Sequence, residues 1–192
     1  MLRTMRIQNF KSWADTGEMR LASITGFFGA NSSGKTSLLQ LPLLLKQTAE
    51  SSDRAQVLHL GDKNSLVNLG TFGDAVRGHA LDRALEWSLA WSLPQPLKPK
   101  NPEHAGEPLF SAEEVVYSAS VSARRNGSGS HPAVDWFKYR LDVPSSDARQ
   151  MAFGLRRSRK GIKDAWITAV YKGDRTWLSE LVKTNFYNKA IN

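Results

Sequence analysis

Residues 2–10 mix apolar and basic side chains and predict a first strand. Lys11 to Gly17 reads as a loop, Glu18–Leu21 as a short second strand, and Ala22–Phe28 as a strand running into a glycine-rich turn. From Lys35 to Ala49 the chain is rich in leucine and has no β-branched run, which predicts a helix. Leu38, Leu39, Leu41, Leu43, Leu44 and Leu45 cover nearly every face, so a buried helix is expected. Pro42 inside it removes an amide donor and predicts a kink.

Beyond this helix the period changes from helical to two. Leu85, Trp87, Leu89, Trp91 and Leu93 alternate with smaller or polar residues, as do Val115, Tyr117, Ala119, Val121 and Ala123. Phe137, Tyr139, Leu141 and Val143 alternate with Lys138, Arg140 and Asp142. Such alternation predicts half-exposed antiparallel strands. Met151–Leu155 and Ala165–Tyr171 add two more, and Asp174–Lys183 reads as a closing helix with Trp177, Leu178, Leu181 and Val182 on one stripe. Pro94–Pro108 and the Gly/Ser segment Asn126–Pro132 read as long hairpin connections, not interdomain linkers.

Composition narrows the function classes. The 192 residues contain no cysteine, which excludes a disulfide scaffold, a thiolate metal site and a cysteine nucleophile. The four histidines are scattered, so a histidine-based metal cage is not expected. No apolar run reaches the ~20 residues of a bilayer span, and no signal-peptide pattern opens the chain, so a cytoplasmic protein without a membrane partner is expected. A net charge of +8 favours polyanionic partners such as nucleotides or nucleic acid.

One motif carries specific chemistry. Gly29-Ala30-Asn31-Ser32-Ser33-Gly34-Lys35-Thr36 matches G-x-x-x-x-G-K-[ST] without a gap, between an apolar segment and an apolar helix. At average residue frequencies a chain of this length holds such a match by chance in about 1% of cases. The two glycines allow close backbone approach, and successive amides at a helix N-terminus form a nest for phosphate oxygens. Lys35 would reach the β- and γ-phosphates, and the Thr36 hydroxyl would ligate Mg²⁺ together with phosphate oxygens.

Met5-Arg-Ile-Gln-Asn-Phe-Lys-Ser12, followed by Ile24-Thr-Gly-Phe-Phe-Gly-Ala-Asn-Ser-Ser-Gly-Lys-Thr-Ser-Leu-Leu39, resembles the opening of SMC/RecF/OLD-type ATPases, which are ABC-class heads. Leu43–Gln47 and Leu66–Asp74 are similar to the prokaryotic OLD-like branch, several members of which serve in anti-phage defence. The likeness covers residues 1–80. It implies an α/β fold: a P-loop NTPase of the ABC-ATPase type, of which this chain is an N-terminal lobe with a large antiparallel β-subdomain. Residues 1–80 would carry the P-loop, 81–175 the β-subdomain, and 176–192 a closing helix or tail. The resemblance further implies ATP and Mg²⁺ as ligands, nucleotide contacts from Asn31 to Ser37, and contacts near the base or ribose from Lys11 and Ser12. Lys11 and Ser12 also read as an ordinary exposed turn. Gln47 reads as the end of a helix in preference to a magnesium-sensing glutamine.

Two parts that such heads need have no counterpart in the sequence. No run of four aliphatic residues ends in a Walker B carboxylate, and no L-S-G-G-type signature is present, so no catalytic residue is identified. The expectation is a nucleotide-binding segment that is incomplete for hydrolysis and takes the missing parts from further sequence or a partner. Head engagement between copies, an effector nuclease or another protein, and DNA or RNA are the expected partners. The alternative is a nucleotide-regulated protein-interaction module without ATPase activity. Arg156, Arg157, Arg159, Lys160 and Lys163, supported by Arg124 and Arg125, read as a solvated basic turn or as a hairpin tip for nucleic-acid phosphates.

Overall fold

The period-two segments pair in order along the chain. The computed structural model describes residues 1–53, 55–98, 100, 108, 111–126, 129–142, 150–157 and 163–170, and of 126, 129, 142, 150–153, 155–157 and 163–170 it describes the backbone. The strands are β1 (Leu2–Phe10), β2 (Trp13–Asp15), β3 (Met19–Arg20), β4 (Leu85–Leu97), β5 (Ala112–Asn126), β6 (Gly129–Asp142), β7 (Gln150–Arg157) and β8 (Lys163–Val170). They form one 8-stranded sheet in the order β2-β1-β4-β5-β6-β7-β8, with β3 also pairing β1. From β4 onward each strand pairs with its successor, as hairpin-like connections dictate.

Every strand pair is antiparallel. The expected α/β P-loop NTPase fold of the ABC-ATPase type is therefore corrected, because that fold is built on a parallel core sheet. The physical reason lies in Ala22–Phe28. Its composition is that of a strand, yet it pairs with no other described segment. Ile24 is 92% and Phe28 95% exposed. Without a parallel neighbour for this segment, the sheet grows only from the meander. The antiparallel strands themselves fall where their alternation places them.

One face of the sheet carries the main core. The helix α1 (Lys35–Glu50) buries Leu38, Leu41, Leu44 and Gln47 along one stripe at helical spacing. These leucines share a cluster with Met5, Ile7 and Phe10 of β1, Leu85 and Trp87 of β4, and Ala119 and Val121 of β5. Leu39 and Leu43 face water, so the helix is half-buried and not, as its leucine content suggests, buried all round. It runs through Pro42 without a break. The short helix α2 (Phe72–Ala75) opens on a capping box in which Thr71 and Asp74 exchange side-chain and backbone bonds.

Three further differences have local causes. The expected loop Lys11–Gly17 contains β2, which Phe10 pairs with at Trp13. β4 continues through Pro94 and Pro96 to Leu97, with its register to β5 broken between Ser92 and Leu97, where the prolines lack donors. β6 begins at Gly129 and pairs Pro132 with Ala123, so the Gly/Ser connection is shorter than expected. Val143, Tyr171 and the expected helix Asp174–Lys183 lie outside the described residues.

Candidate functional site

β1 ends in a turn held by strain. Asn9 and Lys11 have φ of 56° and 49°, in the left-handed region that costs non-glycine residues about 1–2 kcal/mol each. Three contacts hold them there. The Asn9 amide donates to the Ala84 carbonyl at 3.2 Å, Phe10 between them is fully buried, and the Lys11 N–H donates to the Ala75 carbonyl at 2.8 Å. The residues after β1 are thereby presented in one fixed direction, next to the glycine-rich loop.

That loop has the irregular backbone its glycines permit. Gly29, Ser32 and Gly34 have φ of 154°, 63° and 86°. Gly34 stands at the N-cap of α1 in the left-handed conformation. A Cβ there would come within 3.0 Å of the Ser12 Cβ and of the Trp13 Nε1. Only glycine allows the β1–β2 turn to approach this closely. The first amides of a helix have no intrahelical acceptor and point out of its N-terminus, here into the loop.

Lys35 folds back over the same loop. Its ammonium donates to the Gly29 carbonyl at 2.9 Å, the Ala30 carbonyl at 2.5 Å and the Ser33 hydroxyl at 3.4 Å. The charge thus sits over the backbone that a bound phosphate would face. Ala30, Asn31, Ser32, Ser33 and Thr36 are exposed, whereas Ser37 is buried and faces the core. Ser12 touches the loop at Gly34, and Lys11 stands beside Asp74. The Asp74 carboxyl is held below its ordinary range by the Thr71 hydroxyl and amide, with smaller contributions from His79 and Lys11.

The fit for Mg²⁺ rests on few protein donors. The exposed Thr36 hydroxyl is available, but no group of three or more His, Cys, Asp or Glu able to hold a metal exists among the described residues. Asp74 is committed to the α2 cap. This donor set suits a magnesium ion that arrives with nucleotide phosphates and keeps several waters.

Two residues gain definite roles. Gln47 is buried, donates to the carbonyls of His59 and Val67 and accepts from the Val67 amide, so it ties two loop segments to α1 and faces away from the glycine-rich loop. Trp13, assigned from the sequence only to a loop, donates its indole N–H to the Gly34 carbonyl at 3.0 Å. An indole directly after an already singled-out strand-end motif was the available signal for it.

The basic residues divide by position. β1, β5 and β7 run in the same direction, so the C-terminal ends of β5 and β7 lie at the end of the sheet where β1 meets the glycine-rich loop. Arg124 and Arg125 flank the first connection, opposite His131 and Ser130, and Arg124 bonds Asp135 at 3.0 Å. Arg156 and Arg157 pair with Asp164 and Lys163 at the second. Arg159 and Lys160 lie outside the described residues.

No helix among the described residues is long and apolar enough to cross a membrane. Comparison with known proteins gave no matching family model and no matching curated protein.

Proposed function

We propose that this chain holds Mg·ATP through the loop Gly29–Thr36, as a segment incomplete for hydrolysis on its own. The observation that carries the reading is Lys35. Its ammonium lies over the carbonyls of Gly29 and Ala30 within an unbroken G-x-x-x-x-G-K-T sequence. Phosphate oxygens would exchange for those carbonyls, and the ammonium would turn from the loop to the β- and γ-phosphates. Amides of the loop and of the α1 N-terminus add donors. Thr36 would hold the magnesium that accompanies the phosphates, an ion that supplies charge neutralisation when bound. Adenine over guanine follows from the likeness of residues 5–39 to SMC/RecF/OLD-type ATPases.

The wider role rests on the likeness of residues 5–39 to SMC/RecF/OLD-type ATPases. In that role the segment belongs to an OLD-like ATPase in nucleic-acid processing or anti-phage defence, engages a second copy, and works with a nuclease or other effector. Arg124 and Arg125 near the end of β5 and Arg156 and Arg157 at the end of β7, at one end of the sheet, favour a nucleic-acid partner there. Since Mg·ATP is abundant in the cytoplasm and the chain has no cysteine, a cytoplasmic setting goes with the proposal.

The alternative, a nucleotide-regulated interaction module without ATPase activity, is favoured by Ile24 and Phe28, which stand in water immediately before the loop. Calorimetric titration of Mg·ATP into the wild type and Lys35→Ala, with phosphate release followed in parallel, tests the readings. Binding that vanishes in Lys35→Ala, without turnover, is the expected result. Equal binding by both proteins, or none by the wild type, refutes the phosphate loop. Steady turnover by homogeneous protein refutes the claim of incompleteness and the alternative with it.

A further inference from the structure

We propose that Trp13 is a positioning residue for the phosphate loop, fixing through one hydrogen bond the peptide that presents the Lys35 amide to a bound phosphate. This deepens the nucleotide reading and rests on it. The indole Nε1–H donates to the Gly34 carbonyl at 3.0 Å, and the same carbonyl accepts the Ser37 amide at 3.1 Å. A trans peptide is planar, with its C=O and N–H pointing in opposite directions. Pinning the Gly34 oxygen therefore fixes where the Lys35 N–H points, which is away from the indole and out of the α1 N-terminus.

The indole is itself held from behind. Trp13 belongs to β2 and pairs with Phe10, which is fully buried, and its ring packs against the edge of the main core. The strained turn between them leaves the ring little freedom, since Lys11 is bonded to Ala75. Gly34 completes the arrangement. Its φ of 86° and the 3.0 Å that a Cβ would leave to both Ser12 and Trp13 mean that the contact forms only with glycine there. A rigid strand pair, an indole and one peptide plane thus connect the sheet to the loop. The connection runs across 21 residues of sequence.

The first test uses Trp13→Phe, which keeps the aromatic ring and removes the donor, alongside the wild type and Lys35→Ala in Mg·ATP calorimetry. A neutral hydrogen bond to a carbonyl is worth about 1 kcal/mol net, so the Trp13→Phe dissociation constant should rise about three- to tenfold. In nucleotide-free protein, hydrogen exchange at the Ser37 amide, which donates to the same Gly34 carbonyl, should quicken in Trp13→Phe as the first turn of α1 loosens. A purely structural role would lower the melting temperature and leave the affinity of the folded protein unchanged. The second test needs no altered protein to fold. The Trp13 indole N–H of the wild type, followed by ¹⁵N NMR, should exchange slowly without nucleotide and shift as Mg·ATP is added. Wild-type binding that Trp13→Phe reproduces, or an indole resonance that ignores Mg·ATP, overturns the role of Trp13 while the phosphate loop stands. No binding by the wild type overturns both.

Discussion

Leu41→Ala measures how the helix that follows the glycine-rich loop is anchored. Leu41 is fully buried, between Leu38 and Leu44 on the stripe that α1 presents to the sheet. The substitution removes three carbons. At ~0.8 kcal/mol per buried methylene the transfer loss is about 2.4 kcal/mol. The packed surroundings collapse only partly, and the residual cavity brings the expected cost to about 3–5 kcal/mol. For a chain of this size that corresponds to a fall in Tm of about 6–20 °C. Leu39 provides the internal comparison. It is 55% exposed, so Leu39→Ala forfeits roughly half the transfer term, about 1 kcal/mol, and leaves no enclosed cavity. Urea unfolding of the two variants, followed by tryptophan emission and far-UV circular dichroism, reads both costs against the wild type. The reasoning is refuted if Leu39→Ala destabilises as much as Leu41→Ala. Equal costs mean that the outer side of α1 is also buried in solution, as its leucine content suggests and its exposure in this fold denies.

Two more predictions concern the strand that leads into the site. Asn9→Ala loses the bond to Ala84 while keeping a backbone φ of 56°, and should cost about 1–2 kcal/mol in urea unfolding; Asn9→Gly, which relieves the backbone, should cost less, and the reverse order would count against strain at this turn. Asp15 lies at the surface, and its bond from Arg6 holds its carboxyl down from the ordinary 3.8 to about 2. A carboxyl lowered in the folded state contributes stability that is fully present above pH 3.8 and is lost as pH falls from there through about 2. Asp15→Asn should therefore be less stable than the wild type above pH 3.8, the gap should close as pH falls across that window, and added salt should shrink it because the pair is exposed. Urea midpoints at several pH values that keep a constant gap between the two proteins would contradict the Arg6–Asp15 account.

How much of this was legible in the sequence depends on where each residue finds its partner. The meander was legible because period-two alternation is a local pattern and successive strands pair with each other. Ala22–Phe28 misled because apolar composition states a tendency to be buried, whereas a strand also needs a neighbour to accept its hydrogen bonds, and among the described residues this segment has none, with Ile24 and Phe28 exposed. The leucines of α1 misled for the same reason, since one sheet face covers one stripe of a helix. The irregular loop between Gly29 and Gly34 was legible because its glycines ask for it and Lys35 bonds residues only 5 and 6 positions before it. Gln47 and Trp13 were not. Gln47 reaches loop partners 12 and 20 positions away, which makes it a buried tie and not a metal sensor. Trp13 reaches Gly34 across 21 positions, through a three-residue strand whose existence depends on its pairing with Phe10. A local backbone form can be read from spacing when the fold enters only as a short turn. Where β1 and β2 must first be paired before an indole can meet a carbonyl, the same residue reads as part of a loop.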